Sequence, residues 1–166
     1  MKILFLVIKT EGEATNLQAN IRDVNSWPAI AEIGWCLWSD QNEEVVELRA
    51  ALEVGEAQLL EDLIDVLEDC DLLVTHDIAL DNRILTAAMI RQGKKLTAQV
   101  WKRGTKYQGR FYEACPANFW DYRWPSLSWL YEELFETPKE TGNNVCSDAL
   151  VLKDCFLEMK NRGVLN

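Results

Sequence analysis

The apolar positions of the chain fall into two rhythms. Ile3 to Ile8 form an unbroken run, ILFLVI, with the length and β-branched content of a strand covered on both faces. Ile30 to Trp38 alternate instead, with Ala31, Ile33, Trp35 and Leu37 on one side and Glu32 and Gly34 on the other. EVVEL at 44–48, after SDQNE, reads as the hairpin partner. The pattern then becomes helical: Leu59, Leu60, Leu63, Ile64 and Leu67 recur on one face of EAQLLEDLIDVLED, with acids opposite, before DLLVT returns as a strand. HDIALDNRILTAAMIRQG predicts a second helix with Leu80, Ile84, Ala87 and Arg91 on one face, stopped at Gly93. From there to about Trp124 the pattern is mixed and predicts a short strand plus irregular structure. Helices resume in SLSWLYEELFE, after Pro125 and capped by Ser126, and in SDALVLKDCFLEMK. Three strands, then alternating helix and strand, then helices predict an α/β sandwich around a mixed sheet. With no repeat, low-complexity tract or linker, residues 1–166 read as a single domain.

Composition narrows the function classes. At 166 residues and 48% hydrophobic, the chain can bury a core without disulfides or a structural metal. Its 27 acidic and 17 basic side chains give a formal net charge of -10, so the molecule as a whole repels phosphate. Any nucleic-acid contact must therefore be local. One stretch has the necessary character: Arg91 to Arg110 carries seven basic residues and no acid, interleaved with Trp101 and Tyr107. Such a mixture grips single-stranded DNA or RNA through backbone phosphate and stacked bases; equally, it offsets an acidic surface or docks an acidic protein partner. Five cysteines without a CxxC pair, an odd number, suit free thiols in a reducing, cytoplasmic setting. The apolar stretch at the amino terminus is too short to span a bilayer, so no membrane partner is expected. The tryptophans at 27, 35, 38, 120, 124 and 129 read as core and packing residues.

Three carboxylates stand where phosphoryl chemistry would want them. Glu11 lies just past the first strand, Asp81 in the first turns of the helix after LLVTHD, and Asp148 at the opening of the last helix. Two divalent ions about 4 Å apart need such groups to converge from separate elements, because they share oxygen ligands and clamp attacking and leaving oxygens together.

KTEGEA, LLVTHDIALDNRIL and NNVCSDALVLKDCF resemble degraded versions of the three exonuclease motifs, approximately DTETTG, HNxxFD and HDAxxD, of the DnaQ-like 3'-5' exonucleases, the DEDDh branch of the ribonuclease H-like superfamily. DVNSWPAIAEIGW resembles the family's second strand and its approach, and YRWPSLSWLYEELF the helix lead-in before the third motif, so the ordered likeness covers nearly the whole chain. The resemblance implies a ribonuclease H-like three-layer fold, a mixed central sheet with helices on both faces. It also implies Mg²⁺ or Mn²⁺ as cofactor, held here by Glu11, Asp81 and Asp148.

Two catalytic positions of the family pattern are lost. Lys9 stands where the first aspartate belongs, and Asn143, five residues before Asp148, stands where the general-base histidine belongs. An ammonium in place of a carboxylate changes local charge by about two units beside cations it repels. Asn143 cannot accept a proton, a loss commonly costing about 10² to 10⁴ in rate. The expectation is a pseudoenzyme in which Lys9 substitutes for the metals and neutralises Glu11, Asp81 and Asp148. A register shifted by two residues instead makes Glu11 and Glu13 the acid pair, keeps four carboxylates and leaves an active exonuclease as an alternative. A protein-protein adaptor on the same scaffold is the third reading. Asp77 and Leu80 replace the family's usual Asn and Phe in the second motif, leaving Asp81 in place. His76, the sole histidine, falls in the second motif rather than at the general-base position and reads as structural.

Overall fold

β1 (Lys2–Thr10) is the centre of a five-stranded sheet in the computed structural model, which describes residues 1–14, 16–51, 54–95, 101–104 (backbone) and 125–165. It is paired antiparallel with β2 (Ile30–Ser39), which pairs antiparallel with β3 (Glu44–Ala51). These are the three strands predicted at the start of the chain. α1 (Glu56–Asp69) then leads to β4 (Leu72–Thr75), parallel to β1 on its other side, and α2 (Ile78–Arg91) leads to β5 (Trp101–Gly104), parallel to β4. α3 (Leu127–Phe135) and α4 (Val145–Asn161) follow. The strand order is β3-β2-β1-β4-β5, a mixed sheet in which β2 alone runs against the rest.

Strand alternation divides the core into two layers. Leu4 and Leu6 of β1, with Ile33, Trp35 and Leu37 of β2, face α1 and α2, where Leu59, Leu63, Ile84 and Ala88 are buried against them. Ile3 and Phe5, with Cys36 and Trp38, face α3 and α4, packed on Leu130, Leu134, Leu152 and Phe156. Phe5 and Phe156 meet edge to face at 5.4 Å between ring centroids. Each such fully buried apolar side chain contributes about 1.5–3 kcal/mol relative to exposure. The α/β fold with helices on both faces of a mixed sheet is therefore present as expected.

Several boundaries differ from the sequence reading, among them the end of β3, which runs to Ala51 rather than Leu48. α4 begins at Val145, two residues earlier than predicted, because the Asn144 side chain caps it by accepting the Ser147 N–H at 2.9 Å. β1 reaches Thr10, with a bulge between Lys9 and Thr10. The predicted Ser126 cap is in place, accepting from the Trp129 N–H at 3.2 Å. No helix among the described residues is long and apolar enough to cross a membrane. Cys36, Cys70, Cys146 and Cys155 are free thiols, as expected; Cys115 lies outside the described residues.

Candidate functional site

In a sheet with parallel strands, chemistry gathers where the strands end and the following helices begin. Here β1 and β4 run parallel toward the same edge, with Ile3, Leu4 and Phe5 in register with Leu72, Leu73 and Val74; β4 stops at Thr75 while β1 continues to Thr10. α2 starts immediately after β4, with Asp77 as its cap, accepting from the Leu80 N–H, and Asp81 in its first turn. An acid there complements the positive end of the helix dipole.

α4 reaches the same edge by a close approach to β2. A β-carbon on Gly34 would lie 2.4 Å from the carbonyl carbon and oxygen of Val145, so only glycine lets the helix start seat directly on the sheet. Gly34 is opposite Val7 of β1, and two residues along the same face Lys9 is opposite Glu32. Asp148, one turn into α4, is 4% exposed. Lys9 thus lies near the end of β1 and Glu11 just past it, Asp81 in the first turn of α2, Asn143 just before α4 and Asp148 in its first turn.

Lys9 and Asp148 are already engaged, the one with a neighbouring side chain and the other with backbone. Lys9 Nζ is 3.3 Å from Glu32 Oε2, both partly exposed at 30% and 38%. This corrects the expectation that Lys9 neutralises Glu11, Asp81 and Asp148: among the described residues its ion pair is with Glu32, on the neighbouring strand. The cause is register, which sets the two side chains directly across from one another on one face. Asp148 Oδ2 accepts the Gly142 N–H at 2.8 Å, tying the chain before α4 to the helix. Gly142 has φ +94, a left-handed conformation suited to glycine. Asn143, beside it, is exposed and lines a surface cleft with Ser128, Glu132 and Lys139.

Glu11 is exposed, and its N–H donates to the Ala29 carbonyl at 2.8 Å. Beyond it the chain turns at Gly12, φ +85, where Thr10 Oγ1 donates to the Gly12 carbonyl at 2.6 Å. Glu13 is exposed past that turn, off the β1 ladder. Asp81 is half-buried, and its N–H donates to the Asp77 carbonyl at 2.9 Å. His76 Nε2 lies 2.8 Å from the Pro125 carbonyl, which accepts, so the imidazole ties the end of β4 to the approach of α3.

Among the described residues no three or more His, Cys, Asp and Glu side chains are grouped so as to hold a metal ion. Lys9, where the resemblance expects a carboxylate, brings an ammonium instead. These residues as placed do not fit a two-metal centre.

The basic stretch also needs correction. Arg91 does not belong to a phosphate-gripping surface: its guanidinium is turned inward onto Glu56, with Nε 2.8 Å from Oε2 and Nη2 2.7 Å from Oε1, and Nη1 donates to the Val24 carbonyl at 2.7 Å. Glu56 also accepts from the Ile30 N–H at 2.9 Å and from Gln92 at 3.1 Å. Burial raises the Glu56 pKa, but these hydrogen bonds, led by Arg91, outweigh it and hold the carboxyl below the usual glutamate value. Lys94 is paired with Glu61 at 2.7 Å. Lys95 is exposed; the side chains of residues 101–104, and residues 105–110 altogether, lie outside the described residues.

Sequence reasoning missed Glu32, Glu56 and Gly142 as partners in these arrangements. The one available signal was for Glu32, which alternation had already placed on the Gly34 side of β2.

No protein-family model and no curated protein sequence matches the chain. Solved structures do. Exonuclease I from E. coli in complex with a dA16 oligonucleotide is similar at 11% identity and a TM-score of 0.67, over 96% of this chain and 41% of that one. An ExoI/SSB-Ct complex is similar at 12% identity and 0.66, over 97% and 41%. A structure of 3'-end specific recognition of histone mRNA stem-loop by 3'-exonuclease is similar at 14% identity and 0.66, over 98% and 64%. The chain spans about two-fifths of the length of the exonuclease I chains it matches. At these identities the likeness concerns the fold, and the fold is the ribonuclease H-like α/β architecture of these exonucleases.

Proposed function

We propose that this domain is a DnaQ-like 3'-5' exonuclease homologue whose metal-dependent cleavage is impaired and which retains single-strand binding. The observation that carries the reading is the Lys9–Glu32 ion pair at the end of β1, a cation satisfied by the sheet itself on the edge where the resemblance calls for a metal-bridging aspartate. Three further features agree with it. Glu11, Asp81 and Asp148 keep the family's order along the chain, Asn143 replaces the proton acceptor, and Asp148 Oδ2 accepts the Gly142 N–H. Nucleic-acid contact falls to Lys95 and the basic residues of 102–110, since Arg91 and Lys94 are paired within the fold. Binding that rests on these five basic side chains weakens with added salt in proportion to the phosphates they contact.

The test is degradation of a 5'-labelled single-stranded oligonucleotide with Mg²⁺ or Mn²⁺, beside salt-dependent anisotropy of the same strand. The reading expects binding without shortening. Metal-dependent shortening from the 3' end by the natural protein overturns impairment, and absence of binding at low salt leaves an adaptor. The double variant Lys9→Asp, Asn143→His asks whether cleavage can be restored on the same scaffold.

A further inference from the structure

β3 is an edge strand, and among the described residues its outer side pairs with nothing. Edge strands are ordinarily blunted with charge or proline, or covered, because their free N–H and C=O groups template pairing with another strand. This one carries Val45, Val46 and Leu48, each 42–50% exposed, a concentration of exposed large apolar residues on one strand. A bulge at Val46, where Leu37 pairs Glu47 and Trp38 pairs Val45, confines the regular part of the edge to the stretch from Glu47 to Ala51.

Within that stretch the charges are self-complementary about Leu48. Trp35 of β2 anchors both flanking residues: its indole N–H donates to Glu47 at 3.1 Å, and the Arg49 guanidinium lies 5.5 Å over its ring. Arg49 reaches Asp62 as well, at 3.1 Å, yet stays half exposed. Two antiparallel copies of β3 centred on Glu47 would oppose like acids, and centred on Arg49 like bases. Centred on Leu48 they place Glu47 opposite Arg49 twice and Leu48 against its own copy. Each chain carries a formal net charge of -10, so such local complementarity is what self-association requires.

We propose that two copies of this chain pair edge to edge through antiparallel β3 strands with Leu48 on the two-fold axis, an isologous contact that continues one sheet into the other. The test is sedimentation velocity of the full chain from about 1 to 100 µM. A concentration-dependent dimer is expected. Glu47→Arg and Arg49→Glu each weaken it by about tenfold or more, and mixing the two variants restores a heterodimer because the opposed charges again differ in sign. Leu48→Lys, at an exposed position away from Trp35, gives a monomer with unchanged melting temperature and guards against misfolding of the charge variants. A monomeric natural protein at about 100 µM overturns the proposal. So does a dimer indifferent to all three substitutions, or one that mixing fails to restore.

Discussion

Lys9 Nζ lies 3.3 Å from Glu32 Oε2, across a pair of strands on which the two residues are directly in register. Both side chains are partly wet, so the pair is an ordinary cross-strand interaction of at most about 1 kcal/mol. A double-mutant cycle with Lys9→Ala and Glu32→Ala, read by urea denaturation, is expected to give a coupling energy below that value. A coupling several times larger means the lysine is also holding other acids of the edge.

Gly34 is the tightest joint between sheet and helix. Its α-hydrogen faces the Val145 backbone where a methyl group would be 2.4 Å away, and backbone cannot swing aside as a long side chain can. Gly34→Ala is expected to cost about 3 kcal/mol, measured as a fall in denaturation midpoint with unchanged slope. A neutral result means α4 can lift from β2 freely.

The Glu56–Arg91 pair makes stability fall in acid. Because the folded-state pKa of Glu56 is held low, its contribution is fully present above the unfolded value of about 4.3 and disappears as pH falls through the folded value. Glu56→Gln is expected to lose about 2 kcal/mol at neutral pH and to show a flatter stability curve below pH 4.3 than the natural protein. Equal acid slopes for the two proteins count against this role.

Thr75 closes β4 with a fully buried hydroxyl that has no hydrogen-bond partner among the described residues. Valine has the same shape without the desolvation cost. Thr75→Val is expected to stabilise the fold by about 1 kcal/mol, read from thermal and urea unfolding. Destabilisation reveals that the hydroxyl has a partner.

How much of this was legible beforehand follows from the range of each interaction. The two faces of β2 were readable because alternation is local: Ile33, Trp35 and Leu37 are buried toward α1 and α2, and Glu32 and Gly34 turn the other way. That Glu32 meets Lys9 was not, because a long connection between the end of β1 and Ile30 leaves the register to tertiary packing. Arg91 was read as part of a basic stretch because its neighbours in sequence are basic, whereas its environment is set by Glu56, 35 positions earlier. Asp148 was readable as a helix-opening acid at a site-bearing position. Its bond to Gly142 depends on a left-handed backbone conformation that the spacing of residues does not encode.

That bond fastens the segment bearing Asn143 to the opening turn of α4. An ionised carboxylate has lone pairs beyond the one that takes this hydrogen bond, so a cation on Asp148 need not displace the Gly142 N–H. A histidine installed at position 143 would therefore sit on a segment already steadied by the same side chain that offers a ligand.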